Sequence, residues 1–185
     1  MTVTMGRDAA MIALDSNAMT YWIDALSSVP GPPGEPCSAE KLALALIFFW
    51  MPKESGFHYT PTVEVEYQAI RDRAKRDNHL SWALTHISAV RPLPDPTAVD
   101  ARAAELMQFH KREKDCRIVA ECELTEIITL LTCDTDLLKR LKAKTSIRIV
   151  PPSEYWELMH VPKGTLATWV PHATNPLSKV SWWHW

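Results

Sequence analysis

The chain has 185 residues, of which 46% are hydrophobic and 23% are charged, and its formal net charge at pH 7 is −2. These values are ordinary for a globular protein, and the length suffices for one domain with its own hydrophobic core. Because no excess of basic residues creates a positive field, an anionic partner would have to be held by local basic clusters or by a metal ion.

Cysteine usage and the apolar runs indicate a cytoplasmic protein without a membrane segment. The cysteines Cys37, Cys116, Cys122 and Cys133 include no C-x-x-C pair, so the sequence indicates neither a zinc site nor a redox motif. Three of them lie in apolar patterns, which fits a reducing cytoplasm better than a disulfide-bonded secreted protein. The amino terminus does not resemble a signal peptide. The longest apolar run, residues 42–51, is too short to span a bilayer.

Strands and helices are predicted to alternate along the chain. Short apolar runs predict five strands, at residues 11–15, 56–61, 88–94, 127–133 and 147–150. Helical spacing, with Ser38 as an N-cap, predicts helices at residues 16–26, 39–50, 62–77, 79–87, 95–114, 115–126 and 134–144. The Pro- and Gly-rich segment before Ser38 is predicted to be a loop. The alternation predicts an α/β fold with a mostly parallel sheet covered on both faces.

The last part of the chain, residues 151–185, follows a predicted domain of residues 1–150 and is predicted to be irregular. It has four tryptophans after Glu157, which make it too apolar for a free tail. We therefore expect this extension to pack on the domain or on another subunit.

Acidic residues follow two of the predicted strands, Asp15 after the first and Asp134 after the fourth. The carboxyl ends of parallel strands lie at one edge of a sheet, so these two side chains are expected to meet there. Asp115, at a helix start, and Glu66, on the helix after the second strand, are expected at the same edge. Converging carboxylates repel one another unless a cation neutralises them, and oxygen ligands alone favour Mg²⁺ or Mn²⁺. Such a site can activate water for attack on phosphorus.

The aspartates also have structural interpretations. Asp134 is a good N-cap for the following helix, and Asp136 would interact favourably with the dipole of its first turn. Asp115 is a second possible cap, and Asp15 is a possible turn former with Asn17. For any single residue this interpretation is the more common one, whereas four acids at matching positions favour a functional site.

Four segments, in this order and spacing, resemble the PIN-domain family of metal-dependent nucleases. They are IALDSNAM, YTPTVEVEYQAI, DCRIVAECEL and LLTCDTDLLKRL, and the resemblance extends from about Ile12 to Val150. It implies a three-layer α/β/α sandwich with a mostly parallel sheet of about five strands. It also implies Mg²⁺- or Mn²⁺-dependent cleavage of RNA phosphodiester bonds.

The resemblance assigns roles to particular residues. It implies that four acids are catalytic and ligate metal, namely Asp15, Glu66, Asp115 and Asp134. Asp136 would be a further ligand or a nearby acid, and Asn17 and Thr132 would orient the carboxylates through hydrogen bonds. Glu64 competes with Glu66, although two residues so spaced on a helix cannot both point at the site.

Basic residues near the acids are candidates for contact with RNA. We expect Arg117 to bind a phosphate, and Lys114 is either a second phosphate ligand or a solvated side chain. No metal-ligand spacing is present among the histidines, and we expect none of them to be catalytic: His58, His79, His86, His110, His160, His172 and His184.

The resemblance leaves the biological role open. Many small PIN proteins are toxins held inactive by an antitoxin, which implies a toxin-type endoribonuclease with a protein partner. The apolar run at residues 42–51 and the Trp-rich extension are candidate surfaces for an antitoxin-like protein or a homodimer. The alternatives are a housekeeping PIN nuclease in RNA processing and a catalytically weak module that binds RNA or protein.

Overall fold

A computed structural model of the chain describes residues 11–27 and 38–170. Five strands form its sheet: β1 (Met11–Leu14), β2 (Gly56–Tyr59), β3 (Ser88–Ala89), β4 (Thr129–Leu131) and β5 (Arg148–Val150). They lie in the order β3-β2-β1-β4-β5, and every pair of neighbours is parallel. The predicted α/β fold with a mostly parallel sheet of about five strands is therefore confirmed.

Helices flank the sheet, as in a three-layer α/β/α sandwich. The described residues form α1 (Ser16–Ser27), α2 (Ala39–Trp50), α3 (Pro61–Gln68), α4 (Arg73–His86), α5 (Pro96–Leu106), α6 (Glu113–Glu123), α7 (Thr135–Leu141) and α8 (Pro152–Leu158). The predicted N-cap at Ser38 is confirmed, since its hydroxyl accepts a hydrogen bond from the Lys41 N–H at 3.3 Å. Helix α2 therefore has the predicted bounds.

The helices after β2 differ from the prediction. One helix was expected over residues 62–77 and a second over 79–87. Instead, α3 ends at Gln68, and α4 joins the end of the first predicted helix to nearly all of the second. The cause is Asp72, whose side chain accepts a hydrogen bond from the Lys75 N–H at 3.0 Å and so begins α4.

Two further elements are shorter than predicted. The strand expected at residues 88–94 has only two residues, because Pro92 has no N–H to donate to a neighbouring strand. The helix expected at 95–114 ends at Leu106, and a turn connects it to α6. This turn places His110, whose N–H donates to the Leu106 carbonyl at 3.1 Å.

The register of the sheet aligns the carboxyl ends of the inner strands. Leu14 of β1 is paired with Leu131 of β4, and the Asp15 N–H donates to the Leu131 carbonyl at 3.1 Å. The Thr132 N–H in turn donates to the Val150 carbonyl of β5 at 3.2 Å. The residues that follow β1 and β4 therefore lie side by side, at the edge where parallel sheets bind ligands.

The apolar helix α2 is covered by the chain itself. It packs between α1 and α8, and Leu44 and Ile47 are fully buried. The rings of Trp50 and Trp156 of α8 lie 6.0 Å apart, and the Glu40 carboxylate accepts two hydrogen bonds from Ser153. Most of the apolar side chains at residues 42–51, which were predicted to bind a partner, are thus buried against the rest of the chain.

The first part of the extension forms α8, where an irregular segment was predicted. Beyond it, the Trp169 N–H donates to the Phe49 carbonyl at 3.0 Å. The predicted loop at residues 28–37 and the remaining tryptophans, within residues 171–185, lie outside the described residues. Across residues 11–27 and 38–170, we find no helix with the length and hydrophobicity needed to cross a membrane.

Candidate active site

Asp15 lies at the centre of the sheet edge, directly after β1, and only 4% of its surface is exposed. Its Oδ1 accepts a hydrogen bond from the Ala18 N–H at 2.7 Å, and its Oδ2 accepts one from the Thr132 hydroxyl. The first bond satisfies a donor at the start of α1, so Asp15 also has a structural role there, although its partner is Ala18 and not the predicted Asn17. The second connects Asp15 to the end of β4.

Burial makes the negative charge of Asp15 costly. Desolvation raises the pKa of this carboxyl from 3.8 to about 7, and the hydrogen bond from Thr132 opposes part of the rise. The negative charges of Asp115 and Asp134 raise the pKa further. Asp15 is thus a carboxylate whose ionised form needs a nearby positive charge.

Glu66 enters the same region from the last turn of α3. The Ser16 hydroxyl donates to its Oε2, and the Lys114 ammonium lies 3.2 Å from its Oε1. Glu64 points elsewhere: it accepts a hydrogen bond from the Gln68 side chain and lines a neighbouring cleft. The structure therefore brings Glu66, and not Glu64, towards Asp15.

Asp134 combines a structural role with a place at the site. Its Oδ1 accepts hydrogen bonds from the N–H groups of Asp136 and Leu137, at 2.8 and 3.1 Å, and so caps α7. Its Oδ2 lies 2.6 Å from Nη1 of Arg112. The capping interpretation and the site interpretation of this residue are thus compatible, since each uses a different oxygen.

Asp115 is held by a histidine for which the sequence analysis expected no role. Nε2 of His110, which is 1% exposed, lies 2.6 Å from Oδ2 of Asp115. Arg112 is also close, with 3.9 Å between its Nη1 and the same oxygen. No spacing motif marks His110. The contact depends on the turn between α5 and α6, where a continuous helix was predicted.

Asp136 lies in the first turn of α7 and pairs with a cation of its own. Its carboxylate accepts a hydrogen bond from Arg140 at 2.7 Å, and this contact lowers the pKa of Asp136. Nδ1 of His110 lies 3.5 Å from the second carboxylate oxygen. Asp136 is thus connected to the site mainly through the imidazole.

One cleft of about 420 Å³ gathers most of the predicted site residues. Its wall includes the four predicted acids, one predicted hydrogen-bonding residue and two basic residues: Asp15, Glu66, Asp115, Asp134, Asn17, Arg112 and Lys114. Thr132 is buried beneath it and bonded to Asp15. Four separate segments of the chain therefore deliver acids to one surface, as the parallel sheet predicts.

Arg117 faces a different part of the surface. Its guanidinium pairs with Asp100 of α5, and it lines the neighbouring cleft of about 540 Å³ together with Glu64 and Glu121. Glu121 is itself buried and accepts hydrogen bonds from the N–H and the hydroxyl of Thr62, at 3.1 and 2.7 Å. Arg117, which was predicted near the acids, thus lies outside their cleft. Glu121, which no pattern in the sequence marks, anchors the start of α3.

Basic side chains pair with some of the acids in the cleft. Within residues 11–27 and 38–170, no three His, Cys, Asp or Glu side chains are grouped closely enough to hold one ion. Arg112 contacts Asp134, and Lys114 contacts Glu66. The donors are nevertheless carboxylate oxygens, which are the ligands that Mg²⁺ and Mn²⁺ prefer. The chemistry of the cleft fits such an ion, provided that these side chains move.

Neither a scan of known protein-family models nor a search of curated proteins gives a match to this chain.

Proposed function

We propose that this protein is a PIN-type endoribonuclease that uses Mg²⁺ or Mn²⁺ to hydrolyse RNA phosphodiester bonds. The observation that carries the proposal is the convergence of Asp15, Glu66, Asp115 and Asp134 on one cleft at the carboxyl edge of a parallel sheet. These acids come from four separate segments, so their proximity is a property of the fold and not of one local turn.

The charge balance of the cleft supports a divalent cation. Acids outnumber basic residues in its wall, and the raised pKa of Asp15, which burial causes, reflects a negative charge that the surroundings compensate poorly. A divalent ion relieves the repulsion of several carboxylates at once, whereas a lysine or an arginine contributes a single charge. The four acids would hold the ion, and Asp136 would contribute through its contact with His110.

The basic residues of the cleft have a second use in this proposal. A bound ion would supply positive charge that stabilises the negative charge developing on the reacting phosphate. Arg112 and Lys114, released from Asp134 and Glu66, would then bind the phosphates of the RNA chain. Ser16 and Thr132 would hold Glu66 and Asp15 in place through the hydrogen bonds that they already donate.

RNA cleavage with matched variants tests the proposal. The full chain is incubated with a mixed RNA in Mn²⁺ and in EDTA, and product is expected only with the metal. Asp15→Asn and Asp134→Asn should abolish it. Glu66→Gln and Glu64→Gln change the same group on one helix, yet only the first lies in the cleft. Cleavage that is lost in Glu66→Gln but kept in Glu64→Gln supports the proposal. Cleavage that survives both aspartate substitutions contradicts it.

We further propose a toxin-type role in the cytoplasm, with an antitoxin-like protein as partner. Growth arrest on expression in a bacterium, relieved by Asp15→Asn, is the expected result. Cleavage in vitro without growth arrest would instead favour the alternative of a housekeeping nuclease in RNA processing. These two outcomes concern the biological role and leave the chemistry of the cleft unchanged.

The ion pairs favour a second candidate function, an RNA-binding module that does not cleave. The Arg112 guanidinium pairs with Asp134 and the Lys114 ammonium pairs with Glu66, so basic side chains neutralise acids that a metal ion would otherwise neutralise. Such a module would bind RNA equally well in EDTA and in Mn²⁺ and would yield no product. The same incubation, combined with a filter-binding measurement, separates the two candidates.

A further inference from the structure

His110 is buried in the turn between α5 and α6, with 1% of its surface exposed. Its backbone is held on both sides, since its N–H donates to the Leu106 carbonyl at 3.1 Å and its carbonyl accepts from the Cys116 thiol at 3.4 Å. Burial of an imidazole is costly unless its nitrogens find polar partners. The position of the ring is therefore determined by the groups that its nitrogens contact.

Those groups are two carboxylates from different helices. Nε2 lies 2.6 Å from Oδ2 of Asp115 on α6, and Nδ1 lies 3.5 Å from Oδ2 of Asp136 on α7. Because an ionised carboxylate only accepts hydrogen bonds, the Nε2–H group is the donor and the Asp115 carboxylate is the acceptor. Nδ1 has no hydrogen-bond partner in the described part of the chain, so its relation to Asp136 is one of proximity alone.

We infer that His110 is a positioning residue that holds the Asp115 carboxylate in the orientation needed to ligate a divalent ion. This inference rests on the proposed metal-dependent function. The bond from Nε2 engages Oδ2, which restricts rotation of the carboxylate and leaves Oδ1 as the oxygen to offer to an ion. The same ring lies against Asp136 and so relates α6 to the start of α7, where Asp134 is located.

Metal ligands depend on such partners for their orientation. Loss of a group that hydrogen-bonds a ligand typically weakens metal affinity by about 10- to 100-fold. His110→Phe removes the donor and keeps a ring of similar size, whereas His110→Gln keeps an N–H close to the position of Nε2. A positioning role predicts different results for these two variants, and a role limited to filling the core does not.

Mn²⁺ binding by isothermal titration calorimetry provides a readout that does not depend on activity. We expect His110→Phe to bind Mn²⁺ more weakly than wild type by about 10- to 100-fold. His110→Gln should recover most of the loss. His79→Phe is a matched control, because His79 is also buried and its ring packs on Tyr67 of α3 at 5.7 Å. This control should reduce stability and leave Mn²⁺ affinity unchanged.

The outcomes distinguish this inference from the proposed function. If wild type binds Mn²⁺ and folded His110→Phe binds it equally well, the inference is overturned while the proposed function stands. If wild type binds no Mn²⁺, the proposed function is overturned and the inference with it. Should His110→Phe not fold, His110→Asn takes its place, because the shorter amide does not reach Asp115. Unchanged affinity in that variant also overturns the inference.

Discussion

The Thr132 hydroxyl donates a hydrogen bond to the Asp15 carboxylate across 117 residues of chain. The same hydroxyl oxygen accepts a hydrogen bond from the Asp134 N–H at 3.0 Å. One buried threonine thus connects the residue after β1 with the residue after β4, and it contacts two of the four acids in the cleft.

Removal of this hydroxyl should affect both stability and the site. Thr132→Val keeps the shape of the side chain but leaves the Asp134 N–H without its acceptor and removes one of the two hydrogen bonds to the Asp15 carboxylate. We expect a loss of about 1–3 kcal/mol in the free energy of unfolding, measured by urea denaturation. Thr85→Val on α4, where the hydroxyl is exposed, is the control and should cost much less. An unchanged urea midpoint for Thr132→Val would show that the hydroxyl has no such role.

Asp15 should make stability depend on pH when divalent ions are removed with EDTA. The folded-state pKa of Asp15, about 7, lies above the ordinary aspartate value of 3.8. Between these pH values the folded protein therefore keeps a proton that the unfolded chain has lost. Stability contributed by the protonated form is therefore present near pH 4 and is lost as the pH rises to 7. The full loss is on the order of 4 kcal/mol.

Asp15→Asn tests this pH dependence, since asparagine does not ionise. Urea denaturation at several pH values should show that the variant gains stability relative to wild type between pH 4 and 7. Asp77→Asn, at an exposed ion pair of α4, should retain the wild-type profile. Parallel profiles for wild type and Asp15→Asn would contradict the raised pKa of Asp15.

Arg112→Gln should change metal binding and RNA binding in opposite directions. The variant loses the positive charge that lies 2.6 Å from Asp134, so Mn²⁺ no longer competes with the guanidinium and should bind more tightly. RNA should bind more weakly, and the slope of log affinity against log salt should fall by about 0.7 for the lost phosphate contact. Calorimetry and filter binding measure the two effects.

Arg73→Gln is the matched control, because Arg73 pairs with Asp77 on α4 and is exposed. It should alter neither affinity. If Arg112→Gln lowers RNA affinity with an unchanged salt slope, Arg112 does not contact phosphate.

Glu121→Gln should loosen the start of α3. The carboxylate accepts hydrogen bonds from both the N–H and the hydroxyl of Thr62, and an amide places a donor where one of these acceptors lies. We expect a loss of about 1–3 kcal/mol, visible as a lower urea midpoint. Cleavage should fall as well, because α3 carries Glu66. Glu64→Gln, on the same helix, should leave both unchanged, and a similar midpoint for both variants would contradict the anchoring role.

Part of the site could be predicted because its signals are local. A buried strand that ends in an acid is visible in the sequence at Asp15 and at Asp134, and parallel pairing places such residues at one edge. The N-cap at Ser38 is equally local, and α2 begins directly after it, as predicted. The break between α3 and α4 was missed even though Asp72 carries its signal, because the polar residues around it continue a helical pattern.

Other parts of the site depend on contacts that no pattern in the sequence marks. The pairing of Arg112 with Asp134 and that of Glu121 with Thr62 join residues whose separation follows no period. The histidines show no metal-ligand spacing, so the sequence offers no reason to connect His110 with Asp115, whereas the turn after α5 brings the two side chains together.

The sequence alone determined the alternation of strands and helices, and hence which acids end near the carboxyl edge of the sheet. It did so because hydrophobic period and capping are properties of neighbouring residues. Only the tertiary structure decided which cations balance those acids, that Glu66 rather than Glu64 faces them, and that a buried imidazole holds Asp115. These choices depend on how helices pack on the sheet, because charge and hydrogen-bond partners are selected by distance in space and not by distance along the chain.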